Sequence, residues 1–181
     1  WWDTYINDIH FICIDGRYYR TDPKKTNGKL SMLGSAQKYW LLNKIKNSKG
    51  TFKVLVSPVP WVFKAKGDSK DTWNGFKDER NEIFQFLTEN NIKGVLLMSA
   101  DRHRSDLWKI DRSDDYPLYE FNSSRLTNQH VHKTMDEAIY SYNAKQSFGT
   151  VDFDTQAKDP IVTYAVYSID GEQIYKFTVK R

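Results

Sequence analysis

The chain has 181 residues, 39% of them hydrophobic and 15% aromatic, with 27 basic and 23 acidic side chains and a formal net charge of +4. That length suits one domain with a packed core, and the apolar content excludes a chain disordered throughout. The charges are interspersed and their excess is small, which leaves no nucleic-acid footprint, and no apolar run approaches the ~18 residues of a membrane-crossing helix.

No signal peptide is visible. The chain opens at Trp1-Trp2 in strand-like sequence with no polar leader, so it reads as the later part of a longer protein. Residues 8–15 form the first predicted strand. Its two alternating sets are both largely apolar, as in a strand covered on both faces. His10 reads as an edge or surface histidine. Cys13, the single cysteine, reads as a buried core thiol and allows no internal disulfide. Asp15-Gly16-Arg17 ends the strand, and residues 21–28 form a lysine-rich loop with Pro23 and Asn27-Gly28 as turn signals. Ser35 is placed as the N-cap of a helix running to Ile45, with Trp40 on its core face.

Residues 51–57 are a second buried strand. It ends in Ser57-Pro58-Val59-Pro60-Trp61, where two prolines force the chain out of the sheet. Residues 63–74 read as loop, and Trp73 at its end either lines a pocket or covers the core. A second helix spans 77–87. Early Asp78 and Glu79 suit the positive end of its dipole. Strand, helix, strand, helix and strand in alternation predict an α/β domain with helices on a sheet.

The last of these strands is Val95-Leu96-Leu97-Met98, and it gives out abruptly into Ser99-Ala100-Asp101-Arg102-His103. Ligands of open α/β sheets bind outside the carboxyl ends of strands. In extended chain Asp101 and His103 point the same way, and a carboxylate with an imidazole suits a metal ion. A strand-end salt bridge or solvated turn is the alternative. Residues 106–111 and 118–122 alternate as antiparallel strands. Residues 127–154 are the least regular part. They hold His130-Val131-His132, an H-x-H pair whose loop-like surroundings argue against metal ligation. Residues 161–168 and 173–179 flank Asp170-Gly171 as a hairpin.

With these residues in view, the chain resembles the carboxy-terminal part of a PhoD-like alkaline phosphatase, a branch of the calcineurin-like metallophosphoesterases. Asp15-Gly16-Arg17 with Tyr19-Arg20 stands where the family often shows D-T-R-x-Y-R. Leu33-Gly34 to Gln37, Trp40 and Leu41 follow, then residues 51–61 with the V-P-W ending. Asp71-x-Trp73-x-Gly75-Phe76 with Arg80, residues 94–103, and Tyr119-Glu120-Phe121 with Ser123-Ser124 complete the match in the family's order.

The resemblance implies a layered sandwich of sheets flanked by helices, with a mixed sheet and a C-terminal antiparallel hairpin, here as an incomplete domain. Residues 1–126 would be the family-like core, 127–160 irregular and 161–181 the hairpin. It implies metal-dependent hydrolysis of phosphate mono- or diesters at a dinuclear centre, whose ions (Fe, Ca, Zn or Mn) the sequence does not distinguish. Asp101 and His103 would be metal ligands, with His103 and Arg17 catalytic and Trp61, Trp73 and Arg102 contacting substrate. Family members are commonly periplasmic, cell-surface or secreted. The sequence departs from the family at Ala100, where glycine is usual, and the family's earlier metal motifs belong upstream of Trp1. Activity is therefore expected to need an amino-terminal portion. Two other readings stay open: a non-catalytic binding or scaffold domain that kept the fold, and a surface-binding module using the aromatics.

Overall fold

A computed structural model describes every residue except Pro23, Thr26, Asn27, Asp114 and Asn128. The turn signals at Pro23 and Asn27 lie outside the described residues. In chain order the elements are β1 (Trp2–Ile6), β2 (Ile9–Cys13), α1 (Gly34–Lys46), β3 (Phe52–Val56), β4 (Ala65–Asp68), α2 (Lys77–Glu89), β5 (Val95–Ser99), β6 (Ser105–Arg112), β7 (Asp115–Ser123), β8 (Tyr140–Tyr142), β9 (Ser147–Asp154), β10 (Ile161–Ser168) and β11 (Gln173–Lys180). A mixed sheet runs β1-β2-β3-β5-β7-β6-β8, and a second, antiparallel sheet runs β11-β10-β9. No helix is long and apolar enough to cross a membrane.

The continuous apolar runs are explained by burial on two sides. Along β5, Val95 and Leu97 join a core cluster with Leu41 and Ile45 of α1 and Ile83 and Leu87 of α2. Leu96 and Met98 point the other way, into a cluster with Val162, Tyr164 and Val166 of β10. A strand with helices on one side and a small sheet on the other has no face for polar residues. β2, β3, β5 and β7 are mutually parallel, so they cross this interior in one direction.

Several local expectations are corrected. β1 and β2 pair as a hairpin across Asn7, which takes the left-handed φ of 52°. That places β2 between two strands, so His10 is buried rather than marginal; it is hydrogen-bonded to Ser48 and Asp3 and stacked on Tyr5. Ser35 does not cap α1, which already begins at Gly34. The amides leading into it are satisfied from elsewhere: Ser31 Oγ accepts from Gly34 N, and the buried Glu79 carboxylate accepts from Met32 N and Leu33 N just before the helix. Cys13 is only partly buried, and burial pushes its thiol up.

The stretch read as irregular contains β8 and β9. In β9, Val151 and Phe153 pack on the second core cluster, while Asp152 and Asp154 alternate with them. Gly149 lies within β9. A Cβ there would lie 2.6 Å from Tyr164 Cε2, so glycine is what lets β9 approach β10.

Glu120 of β7 ties three elements together. Fully buried, it accepts from Trp61 N at 3.0 Å and Val62 N at 2.8 Å, and it takes a short hydrogen bond from Ser99 at the end of β5. Burial pushes its carboxyl from the ordinary 4.5 up to about 7, against the opposing pull of those three donors. The unfolded chain therefore ionises this group first as pH rises. Its contribution to stability falls between pH 4.5 and about 7, by an amount on the order of 3 kcal/mol, and is level outside that window. Glu120→Gln cannot ionise and cannot accept from both amides. Urea unfolding should find it less stable than the wild type at pH 4.5, with the gap narrowing by pH 7. A gap constant across that range would contradict a neutral buried acid.

Candidate functional site at the carboxyl edge of the sheet

Because β2, β3, β5 and β7 run parallel, the segments that leave them emerge along one edge of the sheet. These are residues 14–17, 57–61, 100–103 and Ser124. Each turn is held by local chemistry. Asp15 Oδ1 accepts from Arg17 N at 2.7 Å and Tyr18 N at 3.0 Å, and the Tyr18 and Arg17 amides hold its carboxyl below the usual range. Gln37 of α1 pins the same turn, accepting from Asp15 N and donating to Asp15 O.

The turn after β5 is not extended. Asp101 and His103 have φ of 66° and 48°, both left-handed. The alternation that would aim their side chains together therefore does not apply, because period two belongs to extended chain. Ser124 Oγ holds the turn, accepting from Arg102 N at 3.0 Å and His103 N at 3.1 Å and donating to Asn122. Ala100 is not among the residues with positive φ, so the alanine there carries no backbone strain of the kind glycine relieves.

The Asp101 carboxylate meets cations. Oδ2 accepts from Arg17 at 3.2 Å and from Lys66 Nζ at 3.4 Å. Asp71 shares both partners and adds Arg20, at 2.6 Å from Arg17, 2.6 Å from Arg20 and 3.4 Å from Lys66. Burial works to raise the Asp71 carboxyl, but Arg20, Arg17 and Lys66 outweigh it and hold the carboxyl below its ordinary value. Three cations thus face two carboxylates at a half-exposed rim. Lys66 was not singled out from the sequence; it lies on β4, inside a stretch that reads as loop.

His103 keeps different company. Its ring stacks on His132, with centroids 4.9 Å apart, and both rings meet His130 edge-on. One ring nitrogen from each of the three lies within 4.8 Å of the others. Burial, followed by the Arg102, His103 and His130 charges, pushes the His132 imidazole below its ordinary value. The H-x-H pair discounted in the sequence therefore reaches this edge. Periodicity could not show it, because His130 and His132 lie in loop rather than in a strand. The three imidazoles form one group of potential metal donors, and the Asp101 carboxylate, turned to Arg17 and Lys66, is not among them.

The comparisons with known proteins bear on the family and the fold. The PhoD-like phosphatase family model matches residues 6–169. The chain belongs to that family. Alkaline phosphatase D of Bacillus subtilis (strain 168) is 27% identical over 140 residues, which is 68% of this chain and 23% of that relative. The solved structure of PhoD superposes with a TM-score of 0.65 at 16% identity, covering 92% of this chain and 42% of that one. GAP50, the anchor in the inner membrane complex of Plasmodium, superposes with a TM-score of 0.54 at 13% identity over 95% of this chain and 49% of its own. The two superpositions speak to fold alone. The chain spans less than half the length of each of these relatives.

Within this PhoD-like fold, three residues expected at the substrate have buried side chains. Trp61 and Trp73 are fully buried and stacked at 4.6 Å with 10° between planes. Trp73 Nε1 donates to Ser57 Oγ, and Trp61 packs on Phe84 of α2. Trp61, at the end of the proline turn, and Trp73, at the start of the short turn Trp73–Gly75, thus both enter the core. Arg102 is 5% exposed, its Nη1 donates to Asp101 O at 3.3 Å, and burial lowers its guanidinium. Arg17, by contrast, reaches solvent. Trp61→Ala should cost about 3–5 kcal/mol in denaturant unfolding, the scale for truncating a buried indole. A change under about 1 kcal/mol would return Trp61 to the list of surface contacts.

Proposed function

We propose that this chain is part of a metal-dependent phosphate-ester hydrolase of the PhoD-like, calcineurin-like type. The observation that carries the reading is the convergence of Asp101 with Arg17 and Lys66, 84 and 35 residues apart in sequence, at the carboxyl edge of a sheet in a family of phosphatases. Asp101 and His103 are the residues that would hold metal. The full dinuclear centre would take its remaining ligands from a portion of the protein outside these residues, in keeping with the partial span of the relatives. Metal bound there would polarise a phosphoryl oxygen and make water a better nucleophile.

The chain's own residues account for the rest. Arg17, Arg20 and Lys66 present guanidinium and ammonium donors that a phosphate ester can take over from Asp71 and Asp101. The fork of Arg17 suits two non-bridging oxygens at once, and charge developing on them in the transition state would tighten that contact. Ser124 and Asn122 fix the turn, so that Asp101 is positioned before substrate arrives.

A second reading has one observation behind it. The Asp101 carboxylate is already paired with two cations, which balances its charge without metal. That favours a binding or scaffold domain keeping the fold without a complete metal site.

One assay separates the two: hydrolysis of p-nitrophenyl phosphate and its bis ester, with added metal, by this chain and by a form extended upstream of Trp1. The extended form should turn over and this chain should not. Asp101→Asn in the extended form should lower kcat by roughly 10²-fold or more, and Arg17→Ala should lower kcat/KM. An inert extended form, with metal bound and fold intact, would leave the scaffold reading standing. Equal activity in both forms would remove the need for further ligands.

A further inference from the structure

We propose that the groove at the amino edge of the sheet is a binding site for an apolar monocarboxylate, a medium-length acyl chain with one anionic head. The groove lies at the opposite end of β3 and β5 from the candidate phosphatase site. The inference therefore goes beyond that reading and stands or falls separately.

The groove arises where the two sheets meet. β3, β5 and β7 begin at Phe52, Val95 and Asp115. The last residues of β11 face these starts across a cavity of about 320 Å³. Five-residue strands advance ~17 Å, which sets this edge apart from Asp101. Phe52, Val95 and Leu96 of its wall are buried, and Tyr119 and Val179 are half-buried on the second core cluster. Packed interiors hold few voids larger than a water molecule, and this one has room for about ten. Its wall offers water few partners. An acyl chain fits the same space, and its methylenes gain by leaving water.

The mouth is cationic. A second cavity of about 470 Å³ adjoins the first, and both are lined by Gly94, Tyr116 and Arg181. Lys180 lines the first, and Lys158 and Asp159 line the second. None of these four charged side chains, Arg181 included, forms an ion pair among the described residues. Three cations against one acid leave the mouth positive. Lys93 is also there but is committed to Asp115 at 2.6 Å.

Arg181 stands where the two cavities join, and it is held there. Its backbone N donates to Pro160 O at 2.8 Å. Its side chain lies along Gly94, where a Cβ would come within 3.1 Å of Arg181 Nε. Gly94, with φ of 69°, is what admits that approach. A guanidinium fork in this position takes a carboxylate with two parallel hydrogen bonds. The buried Lys53 ammonium adds to the field. It donates to Gly50 O and Lys93 O rather than to an acid, and burial followed by the Arg181 charge pushes it below its ordinary value. Asp159 in the same groove opposes a second negative charge, which favours a carboxylate over a phosphate dianion.

The test is calorimetric titration of decanoate into the 181-residue chain, with 1-decanol as the neutral counterpart and inorganic phosphate as competitor. The expected result is one decanoate per chain, decanol weaker by roughly tenfold or more, the scale of a hydrogen bond to a charged group, and no displacement by phosphate. Arg181→Gln should bring decanoate down to the affinity of decanol and leave decanol unchanged. Arg181 is exposed, so that variant has no core to disturb. Val179→Trp, which fills the cavity, should abolish binding of both. A decanoate analogue with a diazirine at the chain end should label Phe52, Leu96, Tyr119 or Val179 in the wild type, which locates the chain even where Val179→Trp does not fold. No stoichiometric binding, equal affinity for acid and alcohol, binding undiminished in Arg181→Gln, or labelling elsewhere overturns the site. Displacement by phosphate would put the anion at the Arg17 edge and overturn it too. Activity or inactivity of an extended form bears on none of these outcomes.

Discussion

Burial of the parallel strands on both faces is the constraint from which the rest follows. With α1 and α2 over one side and β9–β11 over the other, β2, β3 and β5 have nowhere to put a functional polar group along their length. Chemistry is displaced to the ends. Since the strands run in one direction, it is displaced to one edge, and residues far apart in sequence arrive together there without any of them having to be near in the chain.

That edge carries two neighbouring chemistries. One is ionic, with Asp71 and Asp101 between Arg17, Arg20 and Lys66. Such half-exposed pairs add little to stability, because solvent screens them and long side chains lose freedom in making them. In the proposed function their worth would lie in position, as donors at a place where an anion could replace a carboxylate. The other is imidazole, with three histidines in contact and two of them oriented by backbone carbonyls. The turn between β5 and β6 serves both, since Asp101 faces the first and His103 the second. Left-handed backbone at these two residues is what divides them, and the Ser124 clamp is what maintains it.

Glu120 supports this edge from inside. Its oxygens take the amides that follow the prolines after β3 and the hydroxyl that ends β5, so two of the functional turns are fixed to β7 by one buried acid. A neutral acid suits the place better than a carboxylate, which would meet the low dielectric with no cation bonded to it among the described residues. The two stacked tryptophans fill the space beneath.

Sequence alone determined the parts of this protein that depend on local pattern. Apolar runs gave the buried strands, helical spacing gave α1 and α2, Asp170-Gly171 gave the last hairpin, and the ordered motifs gave the family. It also marked Asp101, His103 and Arg17 as strand-end residues. What it could not determine was whatever depends on which side chains meet. The partners of Asp101, the recruitment of Lys66, the burial of His10, Trp61, Trp73 and Arg102, and the strand character of β9 behind Gly149 are all of that kind. So is the meeting of His103 with His130 and His132. Periodicity reports the backbone's local conformation and one face of it. Left-handed turns and returning loops break that relation, and there only the packed chain fixes where a side chain points.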